Sequence, residues 1–321
     1  MVVTAATPFA WTPAARTALA AFNSRWEEHF ARFRRTTGAP WWAPGLILTP
    51  ELRRQHELAL PQDRYRRDLA AVAARLLPGR AWLPRLLCDP DAVLSLPDLW
   101  SRLPPRLAGL SRLDEAACGA LLCALADPPR FGTDTGRYPE QLAEAAAWLR
   151  DRPATAWRAL DLGCGTGHGT WELAAAAAGH GTGTVVGATR EPLEAWMAAS
   201  RRLPHDSGRE HRFPAPPPAA AGRVHFVAAD ALAPPFRPHR FDLILVNGLA
   251  GGPHLCAPDA MGRLLGALAR LAAPGGRIAC ACRFHDGYAP DLAAFAAQAR
   301  RNGWQVDGPP RRIWLRPPDN P

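Results

Sequence analysis

The chain contains no lysine: all 38 of its basic residues are arginine. Against 29 acidic residues this leaves a formal net charge of +9. A basic balance ordinarily points to nucleic acid or another polyanion. A composition with 34 Pro, abundant Ala and Arg as the sole cation fits a GC-rich coding bias equally well, so nucleic acid is disfavoured as a partner. No run of about 18 uninterrupted apolar residues occurs, so no membrane span is expected. The N-terminal segment carries its first charge at Arg16 and is broken by Pro8 and Pro13, which does not match a secretory signal. Cysteine is present but unpatterned. Cys88, Cys118, Cys123, Cys164, Cys256, Cys280 and Cys282 form no C-x-x-C pair. That argues for free thiols in a reducing cytoplasm and against a metal site.

What is present divides into two halves. Residues 1–130 read as a helical accessory domain that selects the substrate. Thr17 to Arg35 places Leu19, Phe22, Trp26, Phe30 and Phe33 three or four apart, one apolar stripe of a helix. Residues 63–77 and 111–126 are further helix candidates. Trp41-Trp42 sits in a Pro- and Gly-flanked loop that could line a substrate mouth. Residues 131–321 change grammar. A helix from Pro139 to Leu149 is followed by strands at 159–162, 184–188, 224–227, 241–246 and 277–282, with helices at 170–178, 192–201, 259–271 and 290–301 between or after them. Arg311 to Leu315 reads as an edge strand. Such alternation predicts an α/β fold, a doubly wound parallel sheet covered by helices on both faces. Residues 204–222, rich in Pro, His and charge, read as a mobile loop without a core.

The sharpest motif is Asp161-Leu162-Gly163-Cys164-Gly165-Thr166-Gly167, between a strand and a helix. Its glycines allow a tight turn and close approach of a ligand to the backbone, and the helix N-terminus offers N–H groups. The spacing is G-x-G-x-G, not the G-x-G-x-x-G of dinucleotide sites. An acid two positions before the first glycine suits a cationic ammonium and not a pyrophosphate. The segment resembles motif I of the class I methyltransferases, which use S-adenosyl-L-methionine. Other stations of that family follow in order. Thr189 stands at the end of strand two, where the family has an acid for the ribose hydroxyls. Asp230 and Ala231 follow strand three, where the resemblance implies contacts to adenine. Phe241 to Asn247 resembles the F-D-x-I strand, and Pro274-Gly275-Gly276 the turn before strand five.

Thr133 to Arg137 resembles the T-x-F-F-R segment of chemotaxis receptor methyltransferases, with Thr135 and Gly136 in place of the aromatics. The resemblance implies that Thr133 and Arg137 reach the cofactor and that Asn247 closes the fourth strand of the site. The implied cofactor residues are therefore Thr133, Arg137, Asp161, Gly163, Cys164, Gly165, Gly167, Thr189, Asp230, Ala231 and Asn247. Arg137, Tyr138 and His254 are the candidates for work on the acceptor, and His168 a further possible base. The acceptor is a small molecule or a protein group, a carboxylate among the options. Two alternatives stand beside this: a degenerate fold serving as an interaction module, and a nucleic-acid methyltransferase. Asn247-Gly248-Leu249-Ala250 lacks the aromatic that would stack a flipped base.

Overall fold

The computed structural model describes residues 8–37, 54, 57–77, 84, 87–88, 108–127, 134–152, 156–179, 181–215, 223–252, 255–282 and 292–318. Trp41 and Trp42 lie outside them. The chain forms two compact units. One comprises residues 6–130 together with 203–206; the other holds 131–202 and 207–321.

The helical unit contains α1 (Pro13–Thr37), α2 (Gln62–Leu76), α3 (Ala108–Ser111) and α4 (Glu115–Ala126). The predicted stripe of α1 is its buried face: Leu19, Phe22, Trp26 and Phe30 are all buried. Tyr65 of α2 meets Phe22 and Trp26 edge-on, with ring centroids 5.2 and 4.9 Å apart, an arrangement that aligns ring edges with ring faces. Asn23 clamps the chain before α4 in both directions. Its amide donates to the Leu113 carbonyl and its carbonyl accepts from the Leu113 N–H, each at 2.9 Å. Asp114 caps α4 by accepting from Ala117 N–H at 2.7 Å. At the other end of α4, Asp127 is buried and pairs with His205 at 2.9 Å.

The second unit is a seven-stranded sheet. Its elements are α5 (Pro139–Arg150), β1 (Ala156–Leu162), α6 (His168–Ala176), β2 (Thr182–Thr189), α7 (Pro192–Ser200), α8 (Ser207–Glu210), β3 (Val224–Ala228), β4 (Phe241–Asn247), α9 (Pro258–Leu271), β5 (Ala272–Ala281), α10 (Leu292–Arg301), β6 (Gln305–Asp307) and β7 (Arg312–Arg316). Strand order is β3-β2-β1-β4-β5-β7-β6. The first five run parallel, as predicted. β7 is antiparallel to both neighbours, so the sheet is mixed. Arg312 to Leu315 is not an edge strand: β6, three residues that carried no sequence signal, takes the edge.

β4 shows why helices cover both faces. Leu243 and Leu245 pack with Leu142, Leu149 and Leu173, while Ile244 and Val246 pack with Leu264, Leu268 and Phe295 on the other side. Alternate residues of an apolar strand feed two cores. Asp242 breaks the apolar run for a structural reason: its carboxylate accepts from Arg158 N–H of β1 and from Arg152, each at 2.8 Å.

The sequence reading of 204–222 as coreless is corrected through residue 215; 216–222 fall outside the described residues. Phe213 packs on the cluster of Cys164, Trp171, Ala198 and Phe226. Arg212 makes two hydrogen bonds to Asp134, at 2.7 and 3.0 Å, and its carbonyl accepts from the Thr135 hydroxyl.

Two glycines give opposite expectations. Trp157 lies over Gly183 of the adjacent strand, and a Cβ there would sit 1.9 Å from the ring. Gly183→Ala should cost about 1–3 kcal/mol by overpacking. Gly266 is exposed within α9 with nothing near a Cβ. Gly266→Ala should gain up to about 1 kcal/mol of helix propensity. Urea unfolding of the two variants checks both signs.

Candidate functional site

The C-terminal ends of β1, β2 and β4 open into one cleft. β1 is flanked by β2 on one side and β4 on the other. The chain leaves β1 toward one neighbour and reaches the other only later, so a crevice opens at that switch point.

The glycine loop forms the floor. Gly163 and Cys164 both donate their backbone N–H to the Ala188 carbonyl of β2, at 2.8 and 3.0 Å. This requires Gly163 at φ +85°, the left-handed region. Gly167 has the same φ and a different reason for being glycine. A Cβ there would lie 2.5 Å from Ala198 and 2.9 Å from Phe226. It serves the close packing of α6 on α7 and β3, and it is not part of the cleft wall.

Asp161 sits at the end of β1, buried, with the Thr170 hydroxyl donating to its Oδ2 at 2.6 Å. Burial raises its pKa to about 6, against the Thr170 hydrogen bond, which lowers it. Asn247, at the end of β4, has a buried Oδ1 with no hydrogen-bond donor and lines the same cleft. A buried carbonyl without a donor costs free energy unless something arrives to supply one. Arg137, Tyr138, Gly165, Cys164 and Thr189 complete the predicted residues found in the wall. The Arg137 guanidinium lies 5.7 Å from the Tyr138 ring centre. Burial, then Asp161 and Glu194, push the Cys164 thiol well up, so it stays protonated.

Other predicted residues fall elsewhere. Asp230 and Ala231 follow β3 and do not line the cleft. Asp230 is exposed and its Oδ1 accepts from Leu232 N–H at 2.9 Å, a turn-forming contact. His168 is fully buried and stacked on Phe213 with centroids 3.9 Å apart, outside the wall. Its ring nitrogens lie 3.2 Å from the Thr166 hydroxyl and 3.2 Å from the Arg209 carbonyl. Its ring packs in the interior of the unit. Thr133 and His254 lie outside the described residues.

The sequence reading missed the charged wall residues Asp134, Glu172, Arg190 and Glu194. Glu172 accepts from Gly136 N–H at 2.7 Å and so fixes the segment that carries Arg137. Its carboxyl is raised, mainly by burial. Burial is the largest single influence on Asp134 and raises it, but the hydrogen bonds from Arg212 and Thr135 N–H, with the charges of Arg212 and His168, together outweigh it and lower the carboxyl. The signal for Glu172 was its place one turn into α6, on the face toward the loop. Glu194 stands at the third position of α7, an acid in a helix's first turn.

A sequence profile describing a methyltransferase domain matches residues 159–276. No curated protein matches the chain. Among solved structures, a methyltransferase from Aquifex aeolicus described as S-adenosylmethionine-dependent shares 15% identity over 56% of this chain and 90% of its own, with a TM-score of 0.39. A TehB-like methyltransferase from Corynebacterium glutamicum shares 18% identity over 55% and 85%, with a TM-score of 0.37. The ribosomal protein L11 methylase of Lactobacillus delbrueckii subsp. bulgaricus shares 18% over 59% and 81%, also with a TM-score of 0.37.

The raised carboxyl gives a prediction for the protein without ligand. Asp161 binds its proton more tightly folded than unfolded. Its contribution is therefore fully present below about pH 4 and lost as pH rises through about 6. Asp161→Asn should stabilise the protein by roughly 2–3 kcal/mol at pH 8. The gain should shrink toward pH 5 in thermal melts. An equal gain at both pH values would refute the burial argument. Residues 159–276 thus match a methyltransferase domain and lie on a mixed, helix-flanked sheet; the cofactor that such a domain implies is S-adenosylmethionine.

Proposed function

We propose that the protein transfers the methyl group of S-adenosylmethionine to a small molecule or a protein side chain, with a carboxylate the acceptor best suited to the cleft. One arrangement carries the reading. A buried carboxylate, a glycine turn and a buried side-chain carbonyl without a donor line one cleft. Asp161 and Asn247 Oδ1 would receive the ammonium of the cofactor, since both accept and one is anionic. The donor set fits a cation: Asp161 is costly to ionise in its buried place, and a cation would relieve that cost. Gly163, Cys164 and Gly165 would let the ligand lie against backbone. Arg137, and by resemblance Thr133, would face its carboxylate end. Thr189 lies at the ribose station. Asp230 and Ala231 are kept for adenine on the strength of the sequence resemblance alone.

The bound cofactor would supply a methyl group already activated on a sulfonium. The chain's own residues then need only bind, orient and exclude water. A carboxylate acceptor loses no proton, so the reading needs no base. Tyr138, beside Arg137 in the wall, would line the acceptor's side. The resemblance to receptor methyltransferases is consistent with this, because Arg137 and Asn247, two of its three matches, line the same cleft.

Calorimetric titration with S-adenosylhomocysteine between pH 5 and pH 8 tests the reading. A proton and the ligand's ammonium compete for Asp161. Affinity should therefore be constant above about pH 7 and fall about tenfold per unit below about pH 6. Asp161→Asn should bind weakly with a flat profile. A flat profile in the wild type removes Asp161 from the site. No binding up to about 1 mM, near −4 kcal/mol, overturns the cofactor reading in favour of an interaction module.

A further inference from the structure

We infer that Arg212 is a positioning residue: it stands outside the cleft wall and holds the turn that aims Arg137 at the carboxylate of the ligand; this rests on the cofactor reading above. Arg137 ends a short turn, residues 134–137, that leads into α5. Gly136 precedes it at φ +73° with nothing near a Cβ, so the glycine is there for the left-handed backbone. Pro139 opens α5 just beyond. A guanidinium on a long stem loses much rotamer freedom when it binds, so it discriminates well only where its backbone is already placed. Here the turn is tied along its length. Gly136 N–H donates to Glu172 at 2.7 Å. The Thr135 hydroxyl donates to the Arg212 carbonyl at 2.6 Å. The Arg212 guanidinium reaches back to fork onto Asp134, with Nε 3.0 Å from Oδ1 and a terminal nitrogen 2.7 Å from Oδ2. Main chain and side chain of Arg212 thus grip neighbouring residues, and a fork on one carboxylate fixes a plane as well as a distance.

What holds Arg212 is α6. Phe213, the next residue, stacks on His168 at 3.9 Å and packs on the cluster of Cys164, Trp171, Ala198 and Phe226. His168 Nε2 lies 3.2 Å from the Arg209 carbonyl in the same segment. His168 and Glu172 are four apart on α6 and so share a face of that helix. The first fastens residues 209–213; the second, one turn on, fastens the turn before Arg137. Both paths lead back to the helix that the glycine turn enters. The group assigned to the ligand's carboxylate is therefore placed from the same element as the glycine floor. The ion pair of Arg212 with Asp134 is exposed and weak alone. Its effect on Arg137 comes from acting with the Thr135 bond on one short turn.

The test compares S-adenosylhomocysteine with its decarboxylated analogue, which keeps the ammonium, by calorimetry. The proteins are wild type, Arg212→Ala, Thr135→Val, Thr135→Ser, the double variant Arg212→Ala with Thr135→Val, and Arg137→Ala. Arg212 and Thr135 are exposed, so these variants should fold, and thermal melts check it. The wild type should prefer the parent compound by about 10- to 100-fold, the range of a charge-assisted hydrogen bond. Each single change at Arg212 or Thr135 to Ala or Val should cut that preference about threefold, and the double variant about tenfold. Affinity for the decarboxylated analogue should move by less than about twofold throughout. Thr135→Ser keeps the hydroxyl and should match the wild type; Arg137→Ala should abolish the preference. Equal losses for both compounds mean that the bonds serve the fold alone and overturn the proposal. An unchanged preference in the double variant, or in Arg137→Ala, overturns it as well, while the cofactor reading survives. Should the double variant not fold, Arg212→Ala decides on the same ratio. Failure of the wild type to bind S-adenosylhomocysteine at all is the separate result that removes both readings.

Discussion

The cleft exists because β1 has neighbours on both sides that the chain visits at different times. From β1 the chain passes through the glycine turn into α6 and on to β2; β4 arrives on the opposite flank some eighty residues after β1 ends. The two bonds from Gly163 and Cys164 to Ala188 fasten that turn to the end of β2. They leave the space toward β4 open, where Asn247 and Leu249 form the far wall. Every group assigned to the ligand depends on this geometry. Asp161 is buried because it ends the central strand, and Asn247 is brought near because β4 pairs with β1 in parallel register.

Much of this was legible in the sequence because it depends on local chemistry. Asp161 and the glycines announce a turn with left-handed backbone, and the runs 159–162 and 241–246 are apolar in the way of strands covered twice. The order of strands and helices followed from their alternation. Groups defined by distant partners were not legible. Asp242 looks like a break in an apolar strand until Arg152 and Arg158 are seen beside it. Three residues of β6 carry no periodicity, and their pairing is decided by β7. Segment 204–215 looked coreless because its one anchoring ring, Phe213, sits among Pro, His and Arg.

Thr189 and Glu194 tie the end of a strand to the first turn of the helix that follows it, the hydroxyl donating to the carboxylate. A helix that begins three residues after a strand ends brings its first turn back over that strand's end. Gly167 is a second case, a residue whose pattern suggests ligand contact and whose Cβ space is taken by Ala198 and Phe226. The two cases separate what the ligand requires from what the packing of α6 requires, which a motif alone merges.

The pairing of His205 with Asp127 has a consequence for synthesis order. Residues 203–206 belong by contact to the helical unit, although the chain before and after them builds the sheet. Asp127 is buried against a partner 78 residues downstream. A nascent chain that has completed α4 therefore carries an unfinished surface until β1, β2 and α7 have emerged. The helical unit is discontinuous, and its last stitch is made from the middle of the other unit.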